Sequence, residues 1–352
     1  MIILRYKGII CGVLSIILLA GFLSEPKLLI QGAAGGMLLC AEVIIPSLFP
    51  FSVITLFLFS CGFTKHIERL LNPISRATTG LSGEGLLMVI FSFLGGFPVG
   101  AKLIDKSFSE GRISKSTAER MLCYSVNPGP AFVIIGIGQT LLNNTKIGVI
   151  LFFSGILSSL TVCFALSNFE KKEEPIKTPI KDNEIKLTDT FVASVFDSSY
   201  SIVGICGFVI LFSAIISIIS HYSDGNLTRR LLALLEISNG VTLFPNRITF
   251  LAFLLSFSGL CIHFQILSVC KDLSVNYKKF VISRIVCGLL SAAYALTLLK
   301  VFKVDCSVIA LNRELFSNLT IVSFPLSAAL IFMAITLLLS VKQNFVEKQS
   351  NL

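Results

Sequence analysis

The feature that most constrains this chain is a series of apolar stretches, each near the roughly 20 residues that an α-helix needs to cross a bilayer's hydrocarbon. They run over 35–62, 84–104, 121–142, 147–168, 190–219, 248–270, 280–299 and 320–341, after an N-terminal run from Gly8 to Leu23. Charge is scarce: 14% of the 352 residues are Asp, Glu, Lys or Arg, against about 25% in an ordinary soluble domain. A soluble fold of this size could not cover its surface with so few charges. That excludes a cytosolic enzyme, a nucleic-acid module and a disordered scaffold. The expected fold class is all-α, a polytopic (multi-pass) integral membrane protein with the lipid bilayer as its first partner.

The 29 Lys and Arg against 20 Asp and Glu give a formal charge of +9. In a membrane protein such an excess orients loops, so no nucleic-acid partner is expected. The cysteines fall mostly inside apolar runs, with no C-x-x-C pair and no His at ligand spacing, and read as small buried residues. No metal or cofactor is expected. Nucleophile elbow, Walker loop, H-E-x-x-H and haem signatures are all missing, so no catalytic residue is assigned and the chain is not read as an enzyme. Arg5-Tyr6-Lys7 ahead of Gly8–Leu23 resembles a signal peptide. No small-x-small cleavage site precedes Leu23-Ser24-Glu25-Pro26, so the run reads as an uncleaved first membrane helix.

Residues 169–189 are charged, carry Pro175 and Pro179, and read as a solvated cytosolic linker that divides the chain nearly in half. The resulting plan is an N-terminal helix (1–30), a first repeat (31–168), the linker (169–189), a second repeat (190–341) and a polar tail (342–352). A gapless shift of 164 residues pairs Ser92-Phe93-x-Gly95 with Ser256-Phe257-x-Gly259. It also pairs Lys115 with Lys279, Arg120 with Arg284 and Cys123 with Cys287.

Charge sets the expected orientation. If 84–104 crossed, the basic loop with Lys106, Arg112, Lys115 and Arg120 would lie outside, and so would the linker's lysines. A re-entrant segment, turning at Gly95-Gly96-Phe97-Pro98-Val99-Gly100, keeps both inside. The same logic makes 248–270 re-entrant from the opposite face, although it leaves Lys271, Lys278 and Lys279 outside. Three crossings per half then give two inverted structural repeats, each with a re-entrant or broken helical hairpin. Non-helical backbone at that depth must be buried in protein or line a watery cavity.

The candidate substrate-binding residues follow from these breaks. Gly95, Gly96, Phe97, Pro98 and Gly100 free backbone amides that could hold an anion, with Lys102 as the adjacent cation. The bland alternative is a packing kink with Lys102 snorkelling to the interface. Asn127 and Gly129, in Asn127-Pro128-Gly129-Pro130, open the next span and suit a cavity lining as well as a simple kink. Gly259, His263 and Gln265 mark the second break, where polar side chains in an apolar run need partners. His263 reads either as a proton carrier or as a packed, hydrogen-bonded core histidine. Glu42 and Asp197 would serve coupling to protons or sodium, or else are helix-end acids; Glu84 reads as a first-turn acid.

Taken together, Pro46-Ser-Leu-Phe-Pro-Phe51, Gly95-Gly-Phe-Pro-Val-Gly-Ala-Lys102, Gly111-Arg-Ile-Ser114, Ala118-Glu-Arg-Met-Leu122 and Asn127-Pro-Gly-Pro-Ala-Phe132 resemble the YlbJ family of sporulation integral membrane proteins. Leu235-Glu-Ile-Ser-Asn-Gly240, Gly259-Leu-Cys-Ile-His-Phe-Gln265 and Ser283-Arg284 look like the matching second-half motifs. That family falls in the wider group with the nucleoside recognition, or Gate, domain. Two departures stand out. An Asn-Asn-Ser-Gly-Pro run expected from the family is Val126-Asn127-Pro128-Gly129-Pro130 here, and its second glycine pair is Gly259-Leu260. The resemblance implies a role in endospore formation, moving dipicolinic acid from the mother cell across the outer forespore membrane. The expected partner is therefore a small-molecule anion, with Phe97 and Phe264 flanking its ring and the coupling ion left open. A nucleoside or other metabolite carrier, or a non-transporting scaffold of a sporulation complex, are the alternatives.

Overall fold

The structure, a computed structural model, describes residues 2–169, 186–223 and 225–304. The interior of the expected linker, the 320–341 stretch and the 342–352 tail lie outside the described residues. Within them the protein is all helix, without a strand. In chain order come α1 (Ile2–Ser24), α2 (Pro26–Leu39), a π turn (Cys40–Ile44), α3 (Ile45–Ser60), α4 (Thr64–Thr78), α5 (Gly83–Gly95), α6 (Phe97–Ser109) and α7 (Lys115–Ser125). A π-helical stretch (Ala131–Leu141) then leads to α8 (Thr145–Phe169), α9 (Leu187–Tyr222), α10 (Asn226–Leu235), α11 (Ile237–Leu243), α12 (Ile248–Phe257), α13 (Gly259–Val269) and α14 (Tyr277–Val301).

Local chemistry sets many of these boundaries. Prolines occupy the first turns of α2, α3 and α6, where the missing N–H costs nothing. Ser82, Ser114 and Asn276 cap α5, α7 and α14, accepting from the amides of Gly85, Thr117 and Lys279. Among the described residues, five helical runs are long and apolar enough to cross a membrane: Pro26–Ser60, Thr145–Ser167, Leu187–Tyr222, Ile248–Val269 and Tyr277–Val301. A sixth arises if α4 and α5, bent by 92°, count as one span. The chain is thus an all-α polytopic membrane protein.

Small residues let these helices approach closely, as membrane helices require. Along the α2–α9 contact, a Cβ on Gly32 would lie 2.6 Å from the Cβ of Ser217, and one on Gly36 2.8 Å from the Cα of Ile210. Gly138 and Gly148 join the π-helical stretch to α8 in the same way, a Cβ on the first lying 2.7 Å from the second's Cα.

Several elements overlap at the offset of 164. It carries α5 onto α12, α6 onto α13, α7 into the start of α14, and the Pro26–Ser60 run onto α9.

Several sequence expectations are corrected. The 121–142 stretch is not one crossing: α7 stops at Ser125, Val126–Gly129 is non-helical, and the π-helical stretch follows. Pro128 and Pro130 remove the amides that a continuous helix would use there. The 35–62 span begins earlier, at Pro26, because Lys27 and Gln31 are tolerated in the first turns of a longer helix. Most importantly, 248–270 does not fold back as 84–104 does. α5 packs on α6, whereas α12 packs on α14 and α8, and α13 packs on α6 and α9. At the offset of 164, Leu260 and Phe264 stand where the first half has Gly96 and Gly100, so the glycines that permit its close backbone approach are missing here.

Candidate functional site, a polar cleft between α6, α9 and α13

The first break is a backbone crossing. Gly96 sits at φ +84°, ψ −174°, a conformation that glycine alone adopts without strain. There the chain turns so sharply that a Cβ on Gly100 would lie 2.6 Å from the Cβ of Ser92 and would collide with the carbonyl oxygen of Ser125. The non-helical Val126–Gly129 segment runs directly against this turn. A Cβ on Gly129 would be 3.0 Å from the Leu94 carbonyl oxygen, and one on Gly96 3.2 Å from the Gly129 nitrogen. A Cβ on Gly95 would lie 2.7 Å from the Val99 side chain.

These four glycines, assigned to substrate from sequence, each stand where a side chain would meet a close neighbour. Asn127 is also occupied: it donates to the Tyr124 carbonyl (2.6 Å) and accepts from Ser159 (2.7 Å). Phe97 is buried in the core rather than presented to a ligand.

What the crossing does is aim α6 at a cleft of about 520 Å³ between α6, α9, α13 and the loop after α13. Pro98, Lys102, Asp105, Lys106, Asp197 and Gln265 all border it. Lys102 Nζ pairs with the Asp197 carboxylate at 3.1 Å and donates to the Asp197 carbonyl at 3.2 Å. Its cation is thus shared with an acid rather than isolated. Asp197 itself lies well inside α9, not at a helix end. Lys102, Lys106 and Asp197 also line a neighbouring cleft of about 510 Å³ beside Lys186 and Asp189, so the ion pair stands between the two spaces.

Asp105 serves a different purpose. Its carboxylate accepts from the amides of Lys271 (3.2 Å), Asp272 (3.3 Å) and Leu273 (2.9 Å), pinning the loop after α13 to α6. Three charge-assisted bonds to backbone make this a firm clamp. Gln265 is 3% exposed; its Nε2 donates to the Cys261 thiol at 3.1 Å and its Oε1 has no partner. A buried amide oxygen left without a donor is costly, about 1–3 kcal/mol. The residue also borders the cleft.

The other predicted residues lie elsewhere. His263 is enclosed by the rings of Phe257, Tyr277 and Phe280, with Nε2 3.0 Å from the Phe257 carbonyl oxygen. It does not border the cleft, and the packed-histidine alternative describes its surroundings. Gly259 (φ +49°) packs under Ile237, and Phe264 stacks on Phe208 and Phe212. Glu42 sits in the π turn, outside the cleft wall. Glu84 is the first-turn acid of α5, as expected, and pairs with Arg112.

Sequence reasoning missed Asp105, Lys106 and Tyr200. For the first two a signal existed: with Lys102 they fall three and four residues apart, on one helix face. Among the described residues no His, Cys, Asp or Glu cluster has the arrangement of a metal site. Chemically, the cleft offers ammonium groups (Lys102, Lys106, Lys271), a free amide acceptor and flanking carboxylates. An entering anion would compete with Asp197 for Lys102.

Comparison with known proteins agrees with the membrane reading at a distance. The chain is similar to the sporulation integral membrane protein YlbJ of Bacillus subtilis (strain 168), 24% identical over 328 aligned residues that cover 80% of each chain. That similarity supports distant homology. No family model matches, and no solved structure does.

Proposed function

We propose that the protein is a membrane carrier for a small anionic metabolite during endospore formation, with dipicolinate as the first substrate to test. The observation that carries this reading is the cleft itself. A lysine held by a half-exposed acid and an unsatisfied glutamine oxygen meet where α6 and α13, corresponding elements of the two halves, come together with α9. A seam between broken helices is where secondary transporters place their substrates, and opening it to each side in turn would give alternating access. In this reading Lys102 exchanges Asp197 for a carboxylate of the substrate, and Gln265 orients the bound ring. The similarity to a sporulation membrane protein supports the biological setting, and the outer forespore membrane is the proposed location.

The test is dipicolinate content, measured separately in mother cell and forespore of a deletion strain during sporulation. Retention in the mother cell with an empty forespore is expected. Normal forespore loading would remove dipicolinate from consideration. Lys102→Ala and Gln265→Ala should each cut delivery at least tenfold while the protein stays inserted. A scaffold would tolerate both.

A further inference from the structure

Glu236, a buried acid whose side chain caps α11, does not border the cleft. Glu236 lies in extended backbone between α10 and α11 (φ −142°, ψ 127°), outside the candidate spans, and is 3% exposed. Its carboxylate accepts from the amides of Ser238 (2.9 Å) and Asn239 (2.7 Å) and from the Asn239 side chain (2.8 Å). Among the described residues no Lys, Arg or His forms an ion pair with it. A buried carboxylate without a cation is expensive, and neutralisation by a proton is the usual relief. Burial pushes the Glu236 carboxyl above the ordinary range, while the amides act in the opposite direction.

Glu236 adjoins α13, the helix that carries Gln265: a Cβ on Gly259, its first residue, would lie 3.1 Å from the Ile237 side chain and 3.6 Å from the Leu235 carbonyl oxygen. Farther along α13, Gln265 donates to the Cys261 thiol. On the other side Asn239 donates to Ser213 of α9 at 2.8 Å, and the Ser238 hydroxyl is buried without a partner. The titratable neighbours are thiols: Cys261 from α13, and Cys40 at the π turn, itself beside Cys206 of α9. Arg229 of α10 is turned to the Leu243 carbonyl and the Phe244 ring, and His263 of α13 to its aromatic enclosure. α11, α12 and the Ala131–Leu141 stretch bring no charged side chain.

We propose that Glu236 binds the proton that accompanies the anion, so that the carrier is a proton–anion symporter. This deepens the carrier reading and rests on it. The step forms one O–H bond: a proton from the entry side converts the carboxylate to the neutral acid, and the same bond breaks when the proton leaves on the other side. While Glu236 is ionised, its charge opposes an anion at Gln265. Once it is neutral, that repulsion is gone, and the two ligands favour each other.

The experiment uses the full chain in proteoliposomes, with labelled dipicolinate and the membrane potential clamped to zero by potassium and valinomycin. Wild type should exchange dipicolinate at equal pH. Under a one-unit gradient, acid outside, it should accumulate the label up to about tenfold, the limit for one proton per anion. Glu236→Gln keeps an oxygen to accept the Ser238 and Asn239 amides, so exchange should persist within about twofold while accumulation disappears. Accumulation by the variant equal to wild type, or wild-type exchange that ignores the gradient, would overturn the proton role and leave the carrier reading standing. Absence of exchange in wild type would overturn both. Should the variant lose exchange as well, proton uptake by detergent-solubilised wild type decides. Dipicolinate added in weak buffer, at a pH where it is fully ionised, should draw about one proton per chain; no uptake rejects the proposal.

Discussion

The two chain breaks occupy corresponding places in the sequence but do different work. At Gly96 the chain folds back, and α5, α6 and the Val126–Gly129 segment interlock backbone to backbone. At Ser258, also left-handed (φ 74°), the helices on either side find separate neighbours, and α13 is free to lie beside α6. The difference comes from two side chains, Leu260 and Phe264 in place of Gly96 and Gly100. A break rich in glycine becomes a rigid crossing. A break with side chains becomes a wall that can carry Gln265 into the cleft.

The strongest way to break this comparison is to put the second half's residue into the first. Gly100→Phe must displace the Ser125 carbonyl, which is backbone and cannot rotate away. Overpacking a core by a few methylenes typically costs about 1–3 kcal/mol, and a backbone obstacle costs more. Loss of monodisperse protein on size exclusion in detergent is the expected result. The reciprocal change, Phe264→Gly, removes a half-exposed ring and should leave a folded protein. Two equally well-folded variants would mean that the crossing at Gly96 is not what organises the first half.

Next in size is Arg284→Met. Arg284 is fully buried and donates to the Cys123 carbonyl (3.3 Å) and to the Ser256 carbonyl beside the second break. It ties α7 of the first half to the break of the second. Charge-assisted bonds of this kind are each worth about 1.5–3 kcal/mol, but removing a buried charge returns part of that. A net destabilisation of about 2 kcal/mol is expected, read as a lower midpoint of thermal unfolding. An unchanged midpoint would mean that the second break holds itself, as the first one does.

How much of this was legible beforehand follows from the same physics. Spans such as 147–168 and 280–299 were readable because a membrane helix announces itself by length and apolarity alone. The turn at Gly96 was readable because glycine and proline act locally. The role of Gly95, Gly96, Gly100 and Gly129 was not, since a glycine needed for close approach looks identical to one that frees an amide for a ligand. Lys102, Asp197 and Gln265 were each visible as oddities in apolar runs, but their meeting depends on how α6, α9 and α13 pack. Glu236 was hidden for the reverse reason. It sits between two short helices in a polar stretch where an acid attracts no notice, and only burial makes it unusual.

The smallest predicted effect separates the two polar side chains of the second break, His263 and Gln265, two residues apart on α13. Both are almost fully buried, and sequence gave no reason to rank them. Their neighbours do. His263 makes one hydrogen bond within an aromatic enclosure, so His263→Phe should cost about 1 kcal/mol at most and leave dipicolinate exchange in proteoliposomes unchanged, including its pH dependence. Gln265→Leu loses only a bond to a thiol and buries no new polar atom, so its stability cost should be as small. Its exchange should nevertheless fall at least tenfold, because the amide bordering the cleft is gone. If the histidine variant were the one that lost exchange, the transport path would run through the aromatic enclosure near α14 and not through the cleft at α6.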